Sequence, residues 1–408
     1  MIDLSDSVNG YRQYKPREFS KIHQMTAYLA MFPPNLPHYF IEHFSKKGDR
    51  VYDPFSGRGT TAFEACRMGR VGIGNDLNPL AVCLTSAKVN LPKKSLVEKR
   101  LNELKLQYDN VNVDIQDIHE DIAMLYEESL TLPQLIFLKT NLKKSSKIDN
   151  FILAVLSGLM HGKYRKDGSS MYCSIDMPNT FSMSPNYVRN FIAKNNLCKI
   201  KQDVFALLYA RLDSIFHQDT RDFCNLSLYT KGQCFKSDAL LCSQKIVKKY
   251  GQDSIGLIVT SPPYLKNINY GKYNWIRFWL LNEEVSKIDR SVSIYKKVQS
   301  IKGLKDNLNF EKYAQYMQNL FNSWYNILKD GAYAFVVLGD IDGKNLAQDT
   351  WKYIQERGGC KIKLIDILED DFEQAQKKKV TRIWGKRGGK ATKIDRILVL
   401  RKEKLWHS

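Results

Sequence analysis

Apolar positions along this chain arrive in two rhythms. Short continuous runs, Val51-Tyr52, Val71-Gly72-Ile73 and Ile255-Gly256-Leu257-Ile258-Val259, end at glycine, proline or acidic residues and read as buried strands. Residues 232–237 and 332–338 add two more of the same kind. Between them, apolar residues recur at helical spacing over 36–44, 96–108, 115–130, 148–161 and 313–328. Lys329-Asp330-Gly331 reads as a turn, and 361–367 with 395–401 as an antiparallel pair closing the sheet. Strands alternating with helices predict an α/β fold, a largely parallel Rossmann-like sheet with helices on both faces. Residues 93–230 are too long for a loop between the second and third strands and are expected to form a mainly helical lobe. The chain thus divides into 1–92, 93–230 and 231–408, the outer two pieces making one sheet.

Two strand ends carry chemistry. In the first, Asp53-Pro54-Phe55-Ser56-Gly57-Arg58-Gly59-Thr60-Thr61 follows Val51-Tyr52 and leads into a helix. Gly57 and Gly59 permit positive φ and close backbone approach, and the amides of Gly59, Thr60 and Thr61 can then face a ligand. The third glycine of the dinucleotide fingerprint and the Gly-Lys-Ser/Thr of a P-loop are both missing. About twenty residues beyond the glycine turn, where ribose hydroxyls are held in such folds, stands Asp76 in Gly74-Asn75-Asp76-Leu77-Asn78-Pro79. A helix cap before Asn78-Pro79 would give Asp76 the same position. In the second, Thr260-Ser261-Pro262-Pro263-Tyr264 ends an apolar strand. Its prolines fix φ and restrict the residue before each, which holds the Ser261 hydroxyl and nearby carbonyls nearly still. A turn after a buried strand is the plain alternative.

Together the two motifs resemble the amino-methyltransferases of DNA, which methylate cytosine N4 or adenine N6. The resemblance covers residues 20–92 and 231–340 and implies S-adenosylmethionine as cofactor, S-adenosylhomocysteine as product and no metal. It implies cofactor contacts at Asp53, Phe55, Gly57, Gly59, Thr60, Thr61 and Asp76. It adds Asp238, the acidic residue after the third strand, and Thr26 in the amino-terminal cofactor segment. There the family usually has Tyr-Pro where this chain has Met25-Thr26. Ser261, Pro262, Pro263 and Tyr264 are implied as the catalytic target-base loop. Ser at position 261 is similar to cytosine-N4 members, with adenine N6 as the alternative and an RNA amino-methyltransferase a more distant one. The polar loop 177–188 resembles a segment of the inserted region in some relatives and is expected near the substrate.

Charge changes the picture more than overall composition does. With 62 Lys and Arg against 43 Asp and Glu, the net charge of +19 implies a polyanionic partner, here duplex DNA. Lys378, Lys379, Arg382, Lys386 and Arg387, interleaved with glycines, are candidate phosphate contacts, though a charge run is usually a solvated face. The helical lobe at 93–230 is the candidate recognition region. Eight cysteines show no paired metal spacing and none follows a proline, so attack on a ring carbon is disfavoured and no metal site is expected. No apolar run approaches the ~20 residues of a membrane span, and residues 1–6 lack the order of a secretion signal. The expectation is a bacterial or archaeal cytosolic enzyme without a membrane partner. A cognate restriction endonuclease acting separately is a possible partner.

Overall fold

The computed structural model describes residues 4, 6–15, 18–28, 33–217, 226–263, 271–292, 306–340, 345–371 and 394–403. The amino-terminal part holds α1 (Ser7–Arg12), a 3-10 turn (Lys21–Gln24) and α2 (Asn35–Phe44). Then come β1 (Arg50–Asp53), α3 (Thr60–Arg67), β2 (Val71–Asp76) and α4 (Pro79–Val89). Among the described residues six helices follow before the next strand: α5 (Lys94–Tyr108), α6 (Glu120–Ala123), α7 (Thr131–Asn141), α8 (Lys147–Ser157), α9 (Pro185–Asn195) and α10 (Val204–Phe216). The sheet resumes with β3 (Gln233–Lys236), α11 (Ala239–Tyr250) and β4 (Ile255–Thr260). After α12 (Trp275–Leu280), α13 (Val285–Val292) and α14 (Asp306–Trp324), β5 (Leu328–Gly339) leads to α15 (Leu346–Glu356). β6 (Lys363–Asp371) and β7 (Ile394–Arg401) end the described chain.

The seven strands lie in the order β3-β2-β1-β4-β5-β7-β6, with β1 to β5 parallel and β7 antiparallel to both its neighbours. This is the expected Rossmann-like α/β sheet. Alternate residues along each strand feed different layers. Tyr52, Ile258, Ala334, Val336 and Leu338 pack with α11, α14 and α15, whereas Val51, Leu257, Val259, Phe335 and Val337 pack with α1 and α2. The helices after α4 bury their own core, anchored to the sheet through Leu80, Ala81 and Leu84 of α4.

Three elements differ from their sequence pattern, each for a local reason. Residues 115–130 form no continuous helix. The Asp114 side chain accepts the Gln116 amide, and the Glu127 carboxylate accepts the amides of Ser129 and Leu130, so side chains compete with the helix ladder. α8 stops at Ser157, ahead of 161, where the chain needs a glycine: a Cβ on Gly158 would lie 2.2 Å from the Met25 carbonyl. Lys329-Asp330-Gly331 is a bulge inside β5, its register jumping between Leu328 and Tyr333 against β4.

A buried ionic cluster clamps the amino-terminal segment onto α3. Burial alone would raise the Glu64 carboxyl, but the Arg67 charge and hydrogen bonds from His23 and His38 hold it well below its usual range. Burial lowers His23 to about 4, so the neutral ring donates from Nε2 to Glu64 Oε1 at 2.7 Å.

Candidate active site

The strand order reverses between β1 and β4, which puts a crevice outside their carboxyl ends. β1 ends at Asp53 and β4 at Thr260, on paired parallel strands. The Thr260 hydroxyl donates to Asp53 Oδ1 at 2.6 Å, with both residues buried. The same oxygen accepts the Phe55 amide at 3.1 Å. Burial pushes the Asp53 carboxyl up to about 7, against the lowering pull of these hydrogen bonds, and the neighbouring Asp76 adds to the rise.

The glycine turn is built for close approach. Gly57 and Gly59 take φ of 49° and 78°, and a Cβ on Gly59 would sit 2.9 Å from the Thr85 Cα. Gly59 caps α3, with Thr60 and Thr61 buried in its first turn. At the end of β2, Asp76 takes the Gly57 amide on Oδ2 at 3.0 Å and the Asn78 amide on Oδ1 at 2.9 Å. Burial raises it to about 6. Asp76 therefore ties the glycine turn to the start of α4, which Asn78 caps through the Leu80 amide. Asp238, at the end of β3, caps α11 by accepting the Leu240 amide at 2.9 Å. Asp238 thus caps a helix, whereas Asp76 braces the turn ahead of one that Asn78 caps, both at the strand ends where the cofactor residues were expected.

Thr26 is buried, its hydroxyl donating to the Ala154 carbonyl of α8 at 2.8 Å. Ser261 and Pro263 are part-exposed and Pro262 is buried, directly after Thr260. Tyr264 and the five basic candidates Lys378, Lys379, Arg382, Lys386 and Arg387 lie outside the described residues.

Several residues that build this site carry no distinctive signal in the sequence. Thr260 was one polar residue at the end of an apolar run, with its partner 207 positions away. Tyr28 lies against the glycine turn: a Cβ on Gly57 would be 3.5 Å from its ring, and its hydroxyl accepts Asn78 Nδ2 at 2.9 Å. Arg277 is fully buried in α12, donating to Ser157 O, to Asn179 O at 2.6 Å and to Asn274 Oδ1. With His161 it pins the loop at 178–183. Burial and then the Arg277 charge lower His161 to about 3, so neutral Nδ1–H donates to Pro178 O and Nε2 accepts from the Ser182 hydroxyl. That loop also bonds the segment downstream of Ser261-Pro262-Pro263, through Ser182 N to Tyr273 O and Trp275 Nε1 to Met183 O, each at 2.7 Å.

Among the described residues, no group of three His, Cys, Asp or Glu side chains could hold a metal, and no helix is long and apolar enough to cross a membrane. Residues 6–85 match the family model of the N6/N4 type described as DNA methylase. The Type II methyltransferase M.BsoBI of Geobacillus stearothermophilus is 24% identical over 294 residues, covering 67% of this chain and 55% of that protein. M.MvaI of Kocuria varians, also a Type II methyltransferase, is 22% identical over 298 residues, 67% of this chain and 62% of that one. The match therefore spans between about half and two thirds of these relatives' length. Among solved structures, the rRNA methyltransferase aviRa of Streptomyces viridochromogenes aligns over 91% of this chain and 85% of its own. Its identity is 10% and its TM-score 0.32, too low to bear on the fold.

Proposed function

Residues 6–85 being similar to the DNA methylases, we propose that this chain transfers a methyl group from S-adenosylmethionine to an exocyclic amino nitrogen in duplex DNA. Cytosine N4 is the target we favour, on the strength of Ser261. The Type II designation of its relatives supports a modification role beside a separate restriction nuclease. One observation carries the reading: the buried carboxylate of the glycine turn and the residue leading into Ser261-Pro262-Pro263 are hydrogen-bonded across the switch point of the sheet.

The cofactor fits the residues present. Asp53 is a buried and Asp76 a half-buried carboxyl, and the principal perturbing neighbours of both include no cation, which suits a cationic, hydroxyl-bearing ligand. Phe55, Gly57, Gly59, Thr60, Thr61 and Asp238 would complete its site, and Thr26 would contribute by packing. When bound, S-adenosylmethionine supplies an electrophilic methyl on a sulfonium. Ser261 Oγ and the Pro262 carbonyl would accept the two hydrogens of the base's amino group. That localises the nitrogen lone pair and stabilises the positive charge it gains on transfer. Tyr264 would stack on a base drawn out of the duplex, offsetting an extrusion cost of a few kcal/mol.

The test is to incubate the protein with S-adenosylmethionine and mixed-sequence duplex, digest to nucleosides and identify the product by mass spectrometry. N4-methylcytosine is expected, lost in Ser261→Ala and Asp53→Ala. N6-methyladenine would move the target base while keeping the reaction. Methyl transfer to RNA alone would overturn the DNA assignment.

A further inference from the structure

Away from the glycine turn, residues 163–191 bring three features together. The first is a tight turn. Arg165 N donates to Ser169 O at 2.8 Å, Gly168 N to Arg165 O at 3.1 Å, and Gly168 takes φ of 81°. Asp167 accepts both the amide and hydroxyl of Ser169. The turn leaves Lys163, Arg165 and Lys166 exposed, with Arg165 close enough to the exposed Asp167 to interact with it.

The second is a cavity of about 210 Å³ beside that turn, with Lys163 at its margin and Met177, Pro178, Met183, Tyr187 and Phe191 among its walls. Tyr187 and Phe191, one turn apart on α9, stack with ring centroids 6.1 Å apart and an interplanar angle of 15°. Tyr187 is 49% exposed, so its ring is reachable from solvent beside the cavity. The third is the attachment: the cavity's Pro178 and Met183 belong to the loop pinned by Arg277 and His161, and that loop is bonded to Tyr273 and Trp275.

We propose that this face grips duplex DNA beside the target loop, Lys163, Arg165 and Lys166 contacting phosphates while the cavity receives the apolar edge of a base, such as a thymine methyl. The inference rests on the methyltransferase reading above and names the surface through which it would act. Charge complementarity selects the occupant. Three exposed cations, Lys163, Arg165 and Lys166, outnumber the acidic Asp167 and Asp176 beside them, which suits phosphates, and the aromatic-walled cavity alongside offers what a base edge needs. A purely apolar protein partner would leave those three charges facing nothing. The loop's attachment also explains why so much buried hydrogen bonding, a fully buried arginine included, is spent on a surface segment.

The test uses the full chain and a mixed-sequence duplex, with affinity read by fluorescence anisotropy from 50 to 200 mM salt in S-adenosylhomocysteine. Each phosphate contact contributes about 0.9 to the slope of log affinity against log salt. The triple variant Lys163→Gln/Arg165→Gln/Lys166→Gln is expected to flatten the slope by about 2 to 3. A control triple, Lys46→Gln/Lys47→Gln/Lys361→Gln, just ahead of β1 and β6 at the amino ends of the strands, away from the crevice, should leave the slope within about 1 of wild type. Phe191→Ala should weaken binding several-fold with the slope unchanged. Cofactor binding by calorimetry should be the same in all four proteins. Equal slopes in the two triples, from a wild type that methylates DNA, would overturn this inference and leave the function standing. A wild type that binds cofactor but methylates no DNA and shows no salt-dependent duplex binding would overturn both.

Discussion

At the scale of single residues, the Thr260–Asp53 bond is the contact on which the two halves of the site depend. Asp53 is an acid whose burial favours the neutral form, and the Thr260 hydroxyl favours the charged one. Removing the hydroxyl should raise the Asp53 pKa further. A hydrogen bond to a charged group is worth about 1.5–3 kcal/mol, and one pKa unit about 1.4, so the expected rise is about one unit or more. In Thr260→Val, the acidic limb of S-adenosylmethionine binding, measured by calorimetry across pH, should move up by that amount, while Thr260→Ser should keep the wild-type profile. A wild-type profile in the valine variant would show that the bond has no bearing on the cofactor. Glycine pairs and prolines announce backbone geometry by themselves, so the turn at 53–61 and the loop at 261–263 were legible in sequence. Thr260 and Tyr28 were not, because each matters only through a partner brought to it by the fold.

Among elements, the strands, α2, α5 and α8 were legible because burial imposes a period, whereas α14 begins seven residues ahead of its pattern and α10 and α11 carried none that was read. The failures fall where side chains bind the local backbone, as Asp114 and Glu127 do, or where a register shift absorbs a turn, as at Gly331. The pinning of the loop at 178–183 by α12 was equally invisible, since a lone arginine in an aromatic helix looks like a surface residue. Arg277 satisfies two carbonyls and an amide oxygen in the interior. Each buried acceptor left without a donor costs about 1–3 kcal/mol. Arg277→Met is therefore expected to lower stability by about 3 kcal/mol or more, seen as a lower urea midpoint with an unchanged slope. Arg277→Lys should recover less than half of the loss, because one ammonium cannot reproduce the planar fork. Wild-type midpoints in both would mean that other donors reach those oxygens and that the arginine is not what holds the loop.

For the whole molecule, the charge that pointed to a polyanion is spread along the sequence, and the basic run at 378–387 lies outside the described residues. At the glycine turn two shielded carboxyls, Asp53 and Asp76, give a property of the entire folding equilibrium. In the unfolded chain Asp53 and Asp76 ionise near 3.8; in the folded chain burial lifts them to about 7 and about 6. Between those values the folded state holds protons that the unfolded state has released. Their contribution to stability therefore falls as pH rises from about 4 to about 7 and stays low above it. A cationic cofactor favours the ionised carboxyls and should return part of that loss. The rise in melting temperature produced by saturating S-adenosylmethionine is thus expected to be larger at pH 7.5 than at pH 5. Asp53→Asn removes the larger of the two titrations while keeping an acceptor for Thr260. Without ligand, this variant should gain stability over wild type as pH climbs through the same window, and its cofactor-induced shift should vary less with pH. A cofactor shift that is equal at both pH values in wild type, or that varies as steeply in Asp53→Asn, would mean that the cofactor's positive charge is held elsewhere.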